Sequence, residues 1–385
     1  MAKIAINCIF YQPRGGGISE YIYNLITNIE RIDNHNEYIL YVLKDMVGYA
    51  KEKLATRFEI KQIPYSSSYV DVIKRSLFSQ RFWTREEEEE NFDLFHSPFF
   101  HSPRFKRAKV LITVHDMRFY RFPYTYTLPR YVYLKYAVKR SCILADHIIT
   151  ISRFTKEELM KAYGISSEKI TVVHEAINKD RFSAKSVESY SLPSEYQYLV
   201  HSKYILSVGH LEPRKNYERL IDAFAKLKND SDKKDLRLLI VGKKGHHYSK
   251  ILKKIRNTAD VVYLNFVDHN MLQWLYNNAS LFAFPSYYEG FGFPPLEAGC
   301  YGVVSAVSNV SSMPEVCGES VFYFNPYDVD DMATVLKEAL SNSVLRKEKE
   351  LLMANQIDSF SWRENARQTL TLYQKLVGLN GDNHE

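Results

Sequence analysis

The chain has 385 residues, 45% hydrophobic and 25% charged, with a formal net charge of +6; this describes a soluble globular protein long enough for two domains with sizeable cores. No run approaches the ~18 apolar residues needed to span a bilayer, and the opening MAKIAINCIF reads as a core strand rather than a signal peptide. A cytoplasmic location is therefore expected, at most peripheral on the inner face of the cytoplasmic membrane. The four cysteines, Cys8, Cys142, Cys300 and Cys317, lack metal-ligand spacing and read as reduced thiols. Residues 1–185 hold 29 Lys and Arg against 21 Asp and Glu, and the remainder 22 against 24. The first half is the one expected to meet an anionic surface.

In chain order, IAINCIF, EYILYVL, FEIKQI, DLFHSP, KVLITVHD, HIITIS and KITVVHEA read as strands. Amphipathic helices between them begin near Ile18, Tyr69, Pro129 and Thr155. This alternation predicts a doubly wound parallel sheet in residues 1–185. Gly15, Gly16 and Gly17 follow the first strand, and a loop without Cβ atoms brings its N–H groups close to a phosphate or sugar. Gly16 and Gly17 are the candidates, with Arg14 and Ser19 beside them. The run Glu86–Glu90 reads as a solvated loop or helix end. His115 and Asp116 stand at a strand's carboxyl edge, where open α/β sheets place ligands; His115 fits either a structural role or a hydrogen bond to a sugar. From Arg118 to Arg140, RFYRFPYTYTLPRYVYLKYAVKR interleaves bases with aromatics. That suits either a helix on anionic lipid headgroups or simply a Tyr-rich surface. No nucleic-acid motif accompanies the charge.

Residues 184–203 read as a linker, and a second alternation fills 186–361: YILSVG, LRLLIVG, VVYLNFV, LFAFPS and GVVSAV with helices between. In SVGHLEPRKN a strand ends, Gly209 turns the chain, and Arg214 and Lys215 precede a helix. Cations are misplaced beside a helix N-terminus unless an anion joins them; together they suit a diphosphate leaving group without a metal. The Asp-x-Asp strings at 230–232 and 328–330 sit in a polar loop and at a helix cap, so no metal and no cofactor are expected. In FPSYYEGFGFPPLEAGCYG, Glu289 stands at a strand tip and Glu297 about one turn into a helix that opens with Pro294 and Pro295. Helix-start amides at Phe291, Gly292 and Phe293 add an anion site. The whole suits a ligand with a diphosphate and hydroxyl-rich rings. No G-x-G-x-x-G follows either first strand, which disfavours a dinucleotide-dependent dehydrogenase.

The EGFGFPPLEA string, with its E-x7-E spacing, together with SVGHLEPRKN, the N-terminal glycines and TVHDM, resembles family 4 of retaining glycosyltransferases over nearly the whole chain. The resemblance implies the GT-B fold: an N-terminal acceptor domain, 1–185, and a C-terminal nucleotide-sugar domain, 186–361, with a last helix, 362–379, crossing back. It gives Gly16, Gly17, Gly209, Arg214, Lys215 and residues 291–293 to the donor diphosphate, and Glu289 and His115 to the transferred sugar. Glu297 goes to the ribose, and Phe266, Val267 and Leu272 to the nucleobase, although core packing explains those three equally well. The donor nearest the pattern is GDP-mannose, with UDP-sugars next, and the acceptor a glycan or polyprenyl-diphosphate lipid in bacterial polysaccharide synthesis. The chain departs from the family at Asn265, where glycine is usual, and at His174-Glu175-Ala176, where Asn-Gly is usual; no role is carried to that segment. A sugar-nucleotide 2-epimerase and a non-catalytic sugar-nucleotide-binding protein are the alternatives.

Overall fold

The computed structural model describes residues 1–13, 15–54, 56–182, 190–229 and 234–378. Arg14, the 230–232 string and residues 184–189 of the expected linker lie outside them. The rest of that linker includes a 3-10 helix, Ser194–His201, anchored by buried Leu199. The chain divides into two compact units, Met1–Ala176 with the segment beginning at Ser361, and Ile177–Phe360.

In the first unit, seven strands run parallel: β1 (Lys3–Asn7), β2 (Glu37–Leu43), β3 (Glu59–Ile63), β4 (Leu94–Ser97), β5 (Lys109–Val114), β6 (His147–Thr150) and β7 (Ile170–Val172). Their order across the sheet is β3-β2-β1-β4-β5-β6-β7. The helices are α1 (Gly17–Ile32), α2 (Val47–Leu54), α3 (Tyr69–Glu90), α4 (Arg118–Arg121), α5 (Leu128–Leu144) and α6 (Arg153–Tyr163). Successive strand residues point to opposite faces, so the apolar strings feed two cores. Ile4, Ile6, Leu40, Val42 and Leu111 enter one, and Ala5, Ile39, Tyr41, Val110 and Ile112 the other. Continuous apolar runs are the mark of a parallel sheet covered on both faces.

The second unit has six parallel strands: β8 (Lys203–Val208), β9 (Leu236–Val241), β10 (Val261–Leu264), β11 (Leu281–Phe284), β12 (Ser305–Ser308) and β13 (Phe322–Phe324), in the order β10-β9-β8-β11-β12-β13. Its helices are α7 (Tyr217–Leu227), α8 (Tyr248–Arg256), α9 (His269–Asn277), α10 (Phe293–Gly299), α11 (Met313–Cys317), α12 (Val329–Ser341) and α13 (Ser343–Asp358). The final helix, α14 (Trp362–Leu376), belongs to the first unit. Ala366, Leu372 and Tyr373 enter its core, and the Tyr373 hydroxyl lies 2.6 Å from Nδ1 of buried His96.

The first unit ends at Ala176 rather than at residue 185. The reason is local: the Arg181 carbonyl accepts from Gln273 Nε2, Lys179 pairs with Asp358, and the Phe182 ring meets His269 edge-on. A second difference concerns Glu86–Glu90, which is the end of α3 and is not simply solvated. Glu87 is buried and accepts the backbone N–H groups of Lys106, Arg107 and Ala108 at 2.8–2.9 Å. Glu86 accepts from the Tyr41 hydroxyl, and Glu90 pairs with Lys3 and Lys61. This run ties the loop before β5 and the neighbouring strands to the helix.

In each sheet the strand order reverses once, between β1 and β4 and between β8 and β11. Helices leave a reversal point in opposite directions, which opens a crevice at the carboxyl ends of the two strands. These crevices hold the residues described next.

Candidate functional site

At the second unit's reversal point, β8 gives way to Gly209. The next βα turn lies against it: a Cβ on Gly242 would come within 2.1 Å of the Gly209 carbonyl oxygen. Beyond Gly209 the chain enters a 3-10 turn, Pro213–Lys215, that carries both cations. Arg214 and Lys215 are only 7% and 8% exposed. Charges that deep need partners. Arg214 donates to Glu212 Oε1 through Nε at 3.0 Å and Nη2 at 2.7 Å, and its Nη1 reaches the Tyr288 carbonyl and, at 2.8 Å, Glu289 Oε1. Lys215 Nζ donates to the same Glu289 oxygen at 2.7 Å and lies 4.7 Å from the Phe284 ring centroid.

Glu289 arrives from the loop after β11, the strand beside β8. Its Oε1 also accepts from the Ser286 hydroxyl at 2.6 Å, and its backbone N–H donates to Ser311 Oγ. Burial pushes its carboxyl up, but the Arg214 and Lys215 charges and the Ser286 hydroxyl overcome that and hold it at about 2. Burial pulls Lys215 down, and Glu289 opposes that pull. Two cations and two carboxylates thus neutralise one another at a position where an anionic ligand could replace a carboxylate.

The loop then runs through Gly290 and Phe291 to Gly292, which caps α10 with φ 109°, a conformation that side chains disfavour. A Cβ there would also stand 2.0 Å from Met313 Cε. The Phe291 side chain is buried against Phe293 and Phe360, so of residues 291–293 it is the backbone that can meet a ligand. Ser312 Oγ donates to the carbonyls of Glu289 and Phe291 and braces the loop. Glu297 lies on α10 and accepts from the Tyr276 hydroxyl of α9 at 2.7 Å; burial pushes its carboxyl above the ordinary range. Leu272 is half-buried on α9, and Val267 half-buried in the loop before it. Phe266 is 68% exposed, with Lys243 Nζ 5.2 Å from its ring centroid. So exposed a ring is available for stacking rather than committed to a core.

In the first unit, Gly16 caps α1 with no side-chain hydrogen bond and Gly17 is its first residue, both beyond the carboxyl end of β1. His115 follows β5. Its Nδ1 lies 3.1 Å from Glu175 Oε1 and its Nε2 2.9 Å from the Pro98 carbonyl oxygen. Both ring nitrogens thus face protein acceptors. Further along, α4 and α5 form from the Arg118–Arg140 stretch. Leu128, Val132, Tyr136 and Ile143 are 74%, 56%, 68% and 56% exposed. Their spacing places them along one solvent side of α5, beside exposed Arg130, Lys135 and Lys139.

Sequence reasoning missed Glu212, Ser286, Tyr276 and Glu175. Glu212 stands two residues before Arg214, where an acid among bases is a readable signal. The others reach their partners only through strand and helix packing. Of the Asp-x-Asp strings, Asp328 caps α12 by accepting from the N–H groups of Asp330 and Asp331. Among the described residues no group of three His, Cys, Asp or Glu side chains is arranged to hold a metal ion, and no helix is long and apolar enough to cross a membrane.

Residues 15–181 match the family described as Glycosyltransferase Family 4, and residues 197–356 the family described as Glycosyl transferases group 1. The O-antigen chain mannosyltransferase B of Escherichia coli is 30% identical over 287 residues, which is 74% of each chain. An enzyme of Campylobacter jejuni, N-acetylgalactosamine-N,N'-diacetylbacillosaminyl-diphospho-undecaprenol 4-alpha-N-acetylgalactosaminyltransferase, is 31% identical over 53% of each chain. Among solved structures, sucrose-phosphate synthase from Thermosynechococcus elongatus superposes with a TM-score of 0.75 at 16% identity, covering 99% of this chain and 100% of its own. The last likeness shows the fold, GT-B.

Proposed function

The chain belongs to glycosyltransferase family 4, and on that footing we propose that it transfers mannose from GDP-mannose, with retention of configuration and without a metal, to a hydroxyl of a glycan or polyprenyl-diphosphate-linked acceptor in polysaccharide synthesis. The mannosyl donor rests on the likeness to the O-antigen enzyme, and the lipid-linked acceptor on the likeness to the Campylobacter enzyme that acts on a diphospho-undecaprenol substrate. The observation that carries the reading is the buried Arg214–Glu289–Lys215 cluster at the β8/β11 reversal point.

A diphosphate entering this crevice takes over Lys215 and the backbone of Gly290 to Phe293. Glu289, released from the lysine, accepts hydroxyl hydrogens of the donor sugar and favours positive charge developing at its ring. Lys215 and Arg214 stabilise the departing diphosphate as the glycosidic bond breaks, the role a metal plays elsewhere. Gly209 keeps space beside the lysine: a Cβ there would stand 3.0 Å from Lys215 Cε. Glu297 holds the ribose, and Phe266, Val267 and Leu272 meet the base. In the first unit, Gly16 and Gly17 open α1 and His115 follows β5, and we assign them to the transfer reaction. The leaving phosphate oxygen helps remove the acceptor proton. The exposed apolar and basic side of α5 supplies a surface for an anionic membrane carrying the acceptor.

A melting-point panel of GDP, UDP and ADP sugars tests the reading, because a ligand held only by the folded state raises the transition. GDP-mannose is expected to raise it with or without EDTA, and Glu289→Ala is expected to abolish transfer while remaining folded. A shift with UDP-sugars alone would overturn the donor assignment. Full turnover by Glu289→Ala would remove that residue from the site, and sugar isomerisation without acceptor would point to a 2-epimerase.

A further inference from the structure

The environment of His115 restricts what this side chain can do. A carbonyl oxygen only accepts, so the nitrogen facing Pro98 carries a proton. A neutral imidazole has one N–H, and its other nitrogen would then turn a lone pair toward the Glu175 carboxylate at 3.1 Å. One more proton removes that repulsion. An imidazole is a stronger base than a carboxylate, so that proton sits on the ring. Glu175 is 4% exposed, so water does little to screen the pair.

We infer that Glu175 is a positioning residue which, with the Pro98 carbonyl, holds His115 as a doubly protonated imidazolium of fixed orientation, so that this histidine serves transfer as a cation and not as a base. The inference rests on the reading that His115 belongs to the transfer site. It adds a role for the segment 174–176, which departs from the family's usual Asn-Gly. A fixed cation complements a phosphate and leaves removal of the acceptor's proton to another group.

The surrounding groups agree. Tyr21 of α1 packs its ring edge-on at 4.9 Å and shares Thr113 Oγ1 with His96 through its hydroxyl. His96 of β4 is itself held neutral, at about 3, by burial and by the charge of His115. Asp116, the next residue, adds a favourable charge, and from α6 the Thr155 hydroxyl donates to the His115 carbonyl. Burial opposes the charged ring, but Glu175, the Pro98 carbonyl and Asp116 together hold it above its ordinary value.

The test is the side-chain nitrogen spectrum of His115 in the intact, ligand-free protein, assigned by its loss in His115→Gln. At pH 7 both nitrogens are expected to be protonated. In Glu175→Gln the titration midpoint is expected to fall by about one pH unit or more. The alkaline limb of kcat/KM, measured with whichever panel donor raises the melting point, should move down with it. Glu175→Asp should keep most of the elevation. A neutral ring at pH 7 in the wild-type protein overturns the inference even if Glu175→Gln does not fold, as does an unmoved midpoint in a folded Glu175→Gln. Undiminished transfer by His115→Gln, with the wild-type ring still doubly protonated, would instead remove His115 from the site and leave its pairing with Glu175 intact.

Discussion

Replacing Glu289 by glutamine keeps the size of the side chain and its contact with Ser286 but deletes the negative charge that faces Lys215 and Arg214. Arg214 retains Glu212, while Lys215, 8% exposed, loses its carboxylate partner at 2.7 Å. In the wild-type protein the Glu289 carboxyl is held at about 2, against an ordinary 4.5. A displacement of that size is equivalent to about 3 kcal/mol at neutral pH, the order expected when one partner of a buried ion pair is removed. For a unit of this size the melting point should fall by ~6–12 °C. The sign of the pH dependence follows from a depressed carboxyl: the stabilisation is complete above pH 4.5 and is lost as pH falls toward 2. The gap between wild type and variant, read by urea denaturation, should therefore be widest at neutral pH and close on acidification below 4.5. Saturating nucleoside diphosphate should raise the variant's melting point more than the wild type's, since the phosphates supply the missing charge. A variant as stable as wild type at pH 7, or a gap that does not change between pH 7 and 3, would refute the buried ion cluster.

Lys215→Met preserves the buried stem and removes the charge; nucleoside-diphosphate affinity by calorimetry should fall ~10–100-fold, the equivalent of one charged hydrogen bond, and an unchanged Kd would place the phosphates elsewhere. Glu87→Ala leaves three backbone N–H groups without their carboxylate acceptor and should destabilise the first unit by ~2–3 kcal/mol in urea titrations, with Glu87→Gln recovering part of the loss. Co-sedimentation with anionic liposomes should be strong at low salt, weaken as salt rises, and drop further in Val132→Glu/Tyr136→Glu; absence of sedimentation at low salt would reject the membrane surface.

Much of this protein was legible in its sequence. The β-branched strings separated by amphipathic segments marked both parallel sheets, because a strand covered on two faces must be apolar throughout. The helix expected between YILSVG and LRLLIVG is α7, Tyr217–Leu227. Strand β13 and helices α2 and α13 were not foreseen. β13 has only three residues and α2 eight, too short for a periodic signal. The glutamate run misled because charge on a surface and charge that caps a buried loop look alike in one dimension.

For the candidate site the division is similar. Arg214, Lys215, Glu289 and Glu297 stand out by residue type, by the turns that present them and by the prolines and glycines around them, all local properties of backbone and solvation. What each side chain pairs with was decided by the fold. Glu289 meets Lys215 across 74 positions only because β11 lies beside β8, and Glu175 meets His115 across 60 because the loop after β7 returns to the end of β5. Strand order sets those meetings, and strand order follows from how whole faces bury one another, a cooperative property that no stretch of residues carries alone. Residue chemistry is written locally; which charges neutralise one another, and so which of them a ligand must displace, is settled only when the sheet closes its crevice.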